Sequence, residues 1–341
     1  MRTSRRRLEE VIRTRFTELV GVRHPIVLGG MGGATSPELV AAVSSAGGFG
    51  IYGASQRVKP GAAVAAEEIR FLCERIRSLT AAPFGLNLLL FDAALEEVET
   101  LLACQPRVLS TAWRRPDQDL RPIAERAHGS GVLFMHQADT LDEAKRAAEA
   151  GADIVVAQGT EGGGHVGLMA SLPFARMVVR ALSPLPVLVA GGIADGAGIA
   201  AALMLGADGA LLGTRFLATV ESPLPDGYKR AIVESDGHDT LLSEIPDIAS
   251  GRVWPGAYAR LRRNAFVEAW AGREGELRRR WREVQVQLRS AREAGDAEYG
   301  SLLIGQDAGL IDSIEPAGAL VARLVAETED VLRRRGPEVL A

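Results

Sequence analysis

Cysteine, aromatic residues and long apolar runs are all scarce in this sequence. Its 341 residues include two cysteines, Cys73 and Cys104, which form no Cys-x-x-Cys pair. This excludes a disulfide scaffold and predicts two buried thiols in a reduced, cytoplasmic compartment. No segment has the roughly 18 consecutive apolar residues of a membrane span. The net charge of −4 offers no basic surface to nucleic acid, so we expect neither membrane nor nucleic-acid partners.

The N-terminus is basic but lacks the apolar segment of a secretory signal. Instead, apolar residues from Leu8 to Leu19 recur at helical spacing and are interrupted by glutamates. This pattern predicts an amphipathic N-terminal helix within residues 1–20.

Most of the chain repeats one alternation, in which a short apolar run precedes an amphipathic helical stretch. The runs are continuous Val, Ile, Leu and Ala segments, typical of strands buried on both faces of a parallel sheet. The eight runs are Pro25–Gly30, Phe49–Ala54, Phe84–Leu90, Arg107–Trp113, Val132–Gln137, Ala152–Gln158, Val187–Gly192 and Gly209–Thr214. They predict an α/β fold, the (β/α)₈ TIM barrel. An open, doubly wound sheet is the alternative, but the strand count and the polar residues at the strand ends favour the barrel.

Capping residues and glycines predict the helix boundaries. Ser36, followed by proline, and Thr140, followed three residues later by glutamate, are typical of helix N-termini. Gly47, Gly151 and Gly206 each follow a helical stretch and predict its end.

The alternation stops after residue 220. Residues 221–300 contain turns and a charged helical stretch, and predict a helical insert or lid. Residues 301–341 predict a C-terminal segment and a helix that packs on the barrel. We therefore expect four segments, with the N-terminal helix at 1–20 and the barrel at 21–220.

Unusual residues fall at the carboxyl ends of the predicted strands, where barrel enzymes carry their active sites. Gly30 ends the first strand, and the amides of Asn87, Gln137 and Gln158 belong to the third, fifth and sixth. Uncharged amides suit the carbonyl groups and ring nitrogens of a flat heterocycle such as a flavin. Structural hydrogen bonds are the alternative role for each amide.

Glycine turns end the seventh and eighth strands, at Gly191-Gly192 and Gly213-Thr214. Such turns let backbone N–H groups approach an anion, and a helix N-terminus near Gly198 would add its positive dipole end. Barrels frequently bind phosphate at this place, so we predict a phosphate site. Tight turns without a ligand are the alternative.

His165 is the catalytic candidate. It follows Gly162-Gly163-Gly164, a run whose backbone can wrap closely round a ligand. Imidazole titrates near neutral pH and suits proton transfer. A buried structural histidine is the alternative. No second histidine, cysteine or carboxylate lies at ligand spacing, so we predict no metal site.

Five segments resemble the nitronate monooxygenase (2-nitropropane dioxygenase) family. They are His24–Met31, Phe84–Leu88, Val155–His165, Val189–Ile193 and Gly209–Thr219. The most specific is the block Gln158-Gly-Thr-Glu-Gly-Gly-Gly-His165. The resemblance covers residues 21–222 and returns weakly at Ile304–Ile311.

This resemblance implies a barrel that binds FMN non-covalently and uses His165 as its catalytic base. The residues implied to contact or approach the cofactor are Met31, Asn87, Gln158, Gly163, Gly192, the phosphate turn Leu211-Leu212-Gly213-Thr214, and Gln306. The implied reaction oxidises alkyl nitronates or nitroalkanes with dioxygen and gives a carbonyl compound and nitrite. We expect a monomer or a homodimer.

The sequence departs from the family at several places. Gly162 stands where alanine is common, Trp113 is bulkier than the residues expected near a flavin, and the 221–300 insert has no family motif. NAD(P)H-dependent quinone or enoyl reductases share the barrel, the glycine loop and the phosphate turns. Those reductases tend to differ at Gln158, which favours nitronate oxidation. A non-catalytic barrel that binds FMN or a phosphosugar is a further alternative.

Overall fold

The structure, a computed structural model, describes residues 12–55 and 66–340. Its first nine strands, in chain order, are β1 (Ile26–Leu28), β2 (Phe49–Gly53), β3 (Phe84–Leu89), β4 (Val108–Ala112), β5 (Leu133–Ala138), β6 (Ile154–Gln158), β7 (Gly164–Val166), β8 (Val187–Ala190) and β9 (Gly209–Leu212). All except β7 form one closed parallel barrel. Val27 of β1 pairs with Phe49 of β2 and with Leu211 of β9, which closes the ring. The predicted (β/α)₈ barrel is therefore confirmed.

Helices connect and cover the strands. They are α1 (Arg15–Val20), α2 (Pro37–Ser45), α3 (Ala66–Leu79), α4 (Leu95–Leu102), α5 (Arg121–Gly129), α6 (Leu141–Glu149), α7 (Ser171–Leu182), α8 (Gly196–Met204) and α9 (Thr214–Leu217). The hydroxyls of Ser36 and Thr140 cap α2 and α6 as predicted. Gly47, Gly151 and Gly206 adopt φ values of +95°, +98° and +94° where the helices end, because only glycine accepts this backbone conformation without strain.

The amino end of the barrel is closed by α1. Phe16 and Val20 are buried with the strand residues that fill the barrel interior, and the ring of Phe16 meets Phe49 edge-on at 6.2 Å. Arg15 holds the helix there through Asp208, with the shorter contact at 2.7 Å. This helix lies within the predicted segment 1–20, of which residues 1–11 fall outside the described residues. Because α1 fills this end, we expect a ligand to enter from the carboxyl end.

The insert combines helices with two strands that the sequence did not predict. Its elements are α10 (Asp226–Val233), β10 (Thr240–Ser243), α11 (Ile245–Ser250), β11 (Tyr258–Arg262), α12 (Ala265–Trp270) and α13 (Glu274–Glu293). β10, β11 and β7 form a three-stranded antiparallel sheet, in which His165 lies opposite Ala259. The insert is therefore hydrogen-bonded to the loop that carries the catalytic candidate.

The C-terminal segment returns to the barrel. A 3₁₀ helix (Gln306–Leu310) precedes α14 (Ala317–Leu340), which packs against α8 and α2. Leu320 and Leu324 are buried in the layer between helices and strands. The segment boundaries at 20, 220 and 300 remain a prediction. No helix within the described ranges is long and apolar enough to span a membrane.

Candidate active site

A cavity of about 320 Å³ lies at the carboxyl end of the barrel. All the predicted site residues line it except Leu212 and Gln306. Leu212 is buried on the outer side of its strand, because neighbouring strand residues point to opposite faces. Gln306 is exposed, and its backbone N–H bonds the carbonyl of Glu161 at 2.9 Å. The next residue, Asp307, lines the cavity instead.

Three amides stand in the cavity wall in fixed orientations. Asn87 donates a hydrogen bond to the carbonyl of Gly30 at 3.1 Å, and a Cβ on Gly30 would overlap the Asn87 side chain. Gln137 Nε2 donates to Gln158 Oε1 at 2.9 Å. This bond leaves the Gln158 NH₂ group as a donor and the Gln137 carbonyl as an acceptor. A donor beside an acceptor suits a heterocycle whose edge alternates carbonyl and N–H groups.

The glycine turns after β8 and β9 lie side by side. Gly191 and Gly192 have φ of +93° and +77°, so a side chain there would be strained. The N-terminus of α8, expected to assist anion binding, is occupied. The Gly198 N–H bonds the Asp195 carboxylate at 2.8 Å, and the Gly196 N–H bonds Glu327 at 2.9 Å. The anion-binding capacity at this place therefore rests on the turns themselves.

His165 is held by two residues of the insert. Its Nε2 lies 2.8 Å from Oδ1 of Asp247, and its ring stacks on Trp254 with 3.3 Å between centroids and 9° between planes. An ionised carboxylate only accepts hydrogen bonds, so the ring nitrogen that faces Asp247 carries the proton. The other ring nitrogen of neutral His165 is then an acceptor, as a general base requires.

The short path from Asp247 to Trp254 supplies several wall residues. Gly251 ends α11 with φ of +68°, and the chain then turns so that Arg252 and Trp254 line the cavity. Trp254 also contacts two other rings, with 4.6 Å between its centroid and that of Phe91 and 6.0 Å to that of Trp113. Its indole N–H is buried without a hydrogen-bond partner in the part of the chain that the structure describes. The three rings form an apolar wall beside the base.

Sequence reasoning did not identify Asp247, Arg252, Trp254 or Asp307. The first three belong to the insert, for which no motif was available. A tryptophan between glycine turns, at Gly251–Gly256, is the one local signal that could have drawn attention to them, because aromatic residues in loops often contact ligands.

Two further ionisable side chains, Glu161 and His136, have structural partners. The Glu161 carboxylate accepts one hydrogen bond from the Ser171 backbone N–H and one from the Ser171 hydroxyl, each at 2.9 Å. His136 is buried outside the barrel interior, between Thr111 at 2.7 Å and Glu143 at 3.0 Å. Among residues 12–55 and 66–340, no cluster of His, Cys, Asp or Glu could hold a metal.

The glycine loop before His165 packs directly on the C-terminal segment. A Cβ on Gly163 would lie 2.5 Å from the carbonyl carbon of Ile304 and 2.6 Å from the nitrogen of Gly305. Because both are backbone atoms, we expect Gly163→Ala to lower the free energy of unfolding by about 1–3 kcal/mol, measured by urea denaturation. Gly129→Ala is the control, since nothing lies within 4 Å of its added Cβ. Equal stability of the two variants would refute this packing argument.

Known proteins match nearly the whole chain, including the insert. The family model described as nitronate monooxygenase matches residues 13–102 and 94–327. The (3aS,4S,5R,7aS)-5-hydroxy-7a-methyl-1-oxo-octahydro-1H-indene-4-carboxyl-CoA dehydrogenase of Rhodococcus jostii is 33% identical, over 93% of this chain and 96% of that protein. The nitronate monooxygenase of Paraburkholderia phytofirmans is 31% identical, over 93% of this chain and 95% of that protein.

Solved structures match equally broadly. FabK from Thermotoga maritima superposes with a TM-score of 0.84 and 33% identity, over 95% of this chain and 99% of that chain. A nitroalkane oxidase from Streptomyces ansochromogenes superposes with a TM-score of 0.77 and 30% identity, over 93% and 98%.

Proposed function

The chain belongs to the nitronate monooxygenase family of flavin oxidoreductases, and we propose that it binds FMN and oxidises alkyl nitronates or nitroalkanes with dioxygen. The observation that carries this proposal is the position of His165. It lies in the wall of the cavity at the carboxyl end of the barrel, and Asp247 leaves one of its ring nitrogens free to accept a proton. The products would be a carbonyl compound and nitrite.

The residues that line the cavity support FMN as the cofactor. The donor and acceptor of the Gln158–Gln137 pair suit the polar edge of the isoalloxazine, and Asn87 borders the same space. The turns at Gly191-Gly192 and Gly213-Thr214 would hold the phosphate, since their glycines have no side chain to keep it from the backbone N–H groups. When bound, FMN would accept two electrons from the substrate and provide the place where dioxygen reacts.

The protein's own contribution to the chemistry is proton transfer and charge stabilisation. With a neutral nitroalkane, His165 would remove the proton from the carbon that bears the nitro group. Asp247 would stabilise the resulting imidazolium, because the two groups are already 2.8 Å apart. The guanidinium of Arg252, in the same wall, favours the negative charge of the nitronate.

The aromatic wall supports this chemistry by limiting access of water. Phe91 and Trp113 each contact Trp254, which stacks on His165. A site with little water strengthens the interaction between the imidazolium and the nitronate. Trp254 also covers one face of the imidazole, so the ring is held in one plane.

A second candidate function is dehydrogenation of a cyclic acyl-CoA thioester. It is favoured by the 33% identity to the Rhodococcus jostii CoA dehydrogenase over nearly the whole chain. The same base could serve, because a thioester carbonyl also acidifies its α C–H bond. An NAD(P)H-dependent reductase would use the same flavin site without needing a base for a nitroalkane.

Anaerobic mixing of the FMN-loaded protein separates these functions. We expect ethylnitronate to bleach the flavin absorbance and NADPH to leave it unchanged. In air, the protein should consume oxygen and release nitrite with ethylnitronate alone. Bleaching by NADPH without any reaction of nitronates would overturn the proposal in favour of a reductase. Reaction only with an alicyclic CoA thioester would assign the second candidate.

A further inference from the structure

Asp307 is the only carboxylate among the described residues that line the cavity. It is buried, with 6% of its surface exposed, in the first turn of the 3₁₀ helix that follows Gly305. A Cβ on Gly305 would overlap Oδ1 of Asp307, so the carboxyl group folds back over this glycine. The Gly305 N–H donates to the Thr214 hydroxyl at 2.9 Å, which leaves the Thr214 O–H to interact with Asp307. The carboxyl group therefore lies at the turn where a phosphate is expected.

A charged Asp307 would repel a phosphate at this turn. Burial raises the pKa of Asp307 to about 7, although the hydrogen bond from its own backbone N–H, the Thr214 hydroxyl and the positive charge of Arg215 act in the opposite direction. The neutral acid is therefore accessible near neutral pH. It would add a hydrogen-bond donor to the backbone N–H groups of the turns.

Other charged groups near Asp307 have partners of their own. The Arg215 guanidinium bonds the carbonyls of Ala218 and Ser313, and Glu161 in the glycine loop bonds Ser171. Lys229 of the neighbouring helix α10 bonds the carbonyl of Val220 at 3.1 Å. His165 and Arg252 are the remaining ionisable side chains in the cavity wall, within the described residues.

We propose that Asp307 binds the FMN phosphate as a neutral carboxylic acid that donates its proton in a hydrogen bond. This inference rests on the proposed FMN cofactor. Well below pH 7 the acid already carries the proton, so Asp307 takes up none when FMN binds. Above that pH, binding of each FMN requires that Asp307 take up one proton from solution. FMN affinity then falls by up to about tenfold per pH unit.

The test is titration of the full-length apoprotein with FMN between about pH 6 and pH 9. Binding is measured by the quenching of flavin fluorescence. We expect the wild-type Kd to rise by about tenfold per unit above pH 7.5. Asp307→Asn should show no such rise, because its amide donates at every pH. Riboflavin, which lacks the phosphate, should bind with little pH dependence to both proteins. Asp312→Asn, a change at an exposed acid on the same segment, should keep the wild-type slope.

Calorimetry in two buffers of different ionisation enthalpy provides a second measurement that needs no variant. At pH 8 the wild-type protein should take up about one proton per FMN and none per riboflavin. A pH-independent wild-type Kd, or equal slopes in wild type and Asp307→Asn, overturns the inference. Equal pH dependence for riboflavin also overturns it, because Asp307 would then contact the ribityl chain. Absence of FMN binding at every pH overturns the proposed cofactor and this inference together.

Discussion

Replacement of His165 by asparagine is expected to lower kcat/KM for neutral nitroalkanes by about 10²–10⁴-fold. Asparagine keeps a polar side chain of similar size at this position but cannot accept the α-proton. Preformed nitronates have already lost that proton, so their turnover should change much less. The measurement is oxygen consumption with nitroethane and with ethylnitronate, in wild type and variant. FMN absorbance should be retained, since the predicted cofactor contacts remain in place.

The ratio between the two substrates is the decisive quantity. His128→Asn is a suitable control, because His128 lies on helix α5 outside the cavity, is nearly half exposed and bonds the carboxylate of Asp153 at 2.9 Å. It should leave both activities at the wild-type level. An equal loss with nitroethane and ethylnitronate would indicate that His165 positions the substrate and does not act as a base. Unchanged turnover of nitroethane would remove His165 from the mechanism.

The barrel could be predicted because its physical cause lies in local sequence. Strands buried on both faces must be apolar throughout, and each is followed by a helix with its own capping residue or terminal glycine. Gln158 and His165 could be placed together because they are the two ends of one continuous motif, with only six residues between them. The same logic located the glycine turns after β8 and β9.

The partners of His165 could not be predicted, because they depend on pairing between distant segments. Asp247 is 82 residues away in sequence and reaches the histidine only because β11 pairs with β7. β10 and β11 are short, and their residue patterns are too weak to indicate a sheet. That Asp307 lines the cavity and the predicted Gln306 does not has a different cause. In a 3₁₀ helix successive residues differ by about 120° in direction, so an adjacent position can change from exposed to buried.

The dependence of His165 on Asp247 leads to the second large effect. Asp247→Asn should lower kcat/KM for nitroethane by about 10–100-fold. The asparagine amide can donate its NH₂ group to the ring nitrogen that faces it. The proton of the neutral imidazole then resides on the other ring nitrogen, which can no longer act as the acceptor. The amide also lacks the charge that stabilises the imidazolium after proton transfer. Turnover of ethylnitronate should change much less, as with His165→Asn.

A double-mutant cycle separates this role from a structural one. If Asp247 acts only through His165, the double variant should be no slower with nitroethane than His165→Asn alone. Glu244→Gln is the matched control, since this carboxylate lies just before α11, is more than half exposed and pairs only loosely with Arg278 at 3.6 Å. It should behave as wild type. Additive losses in the double variant would show that Asp247 acts independently of the base, by supporting the insert against the barrel.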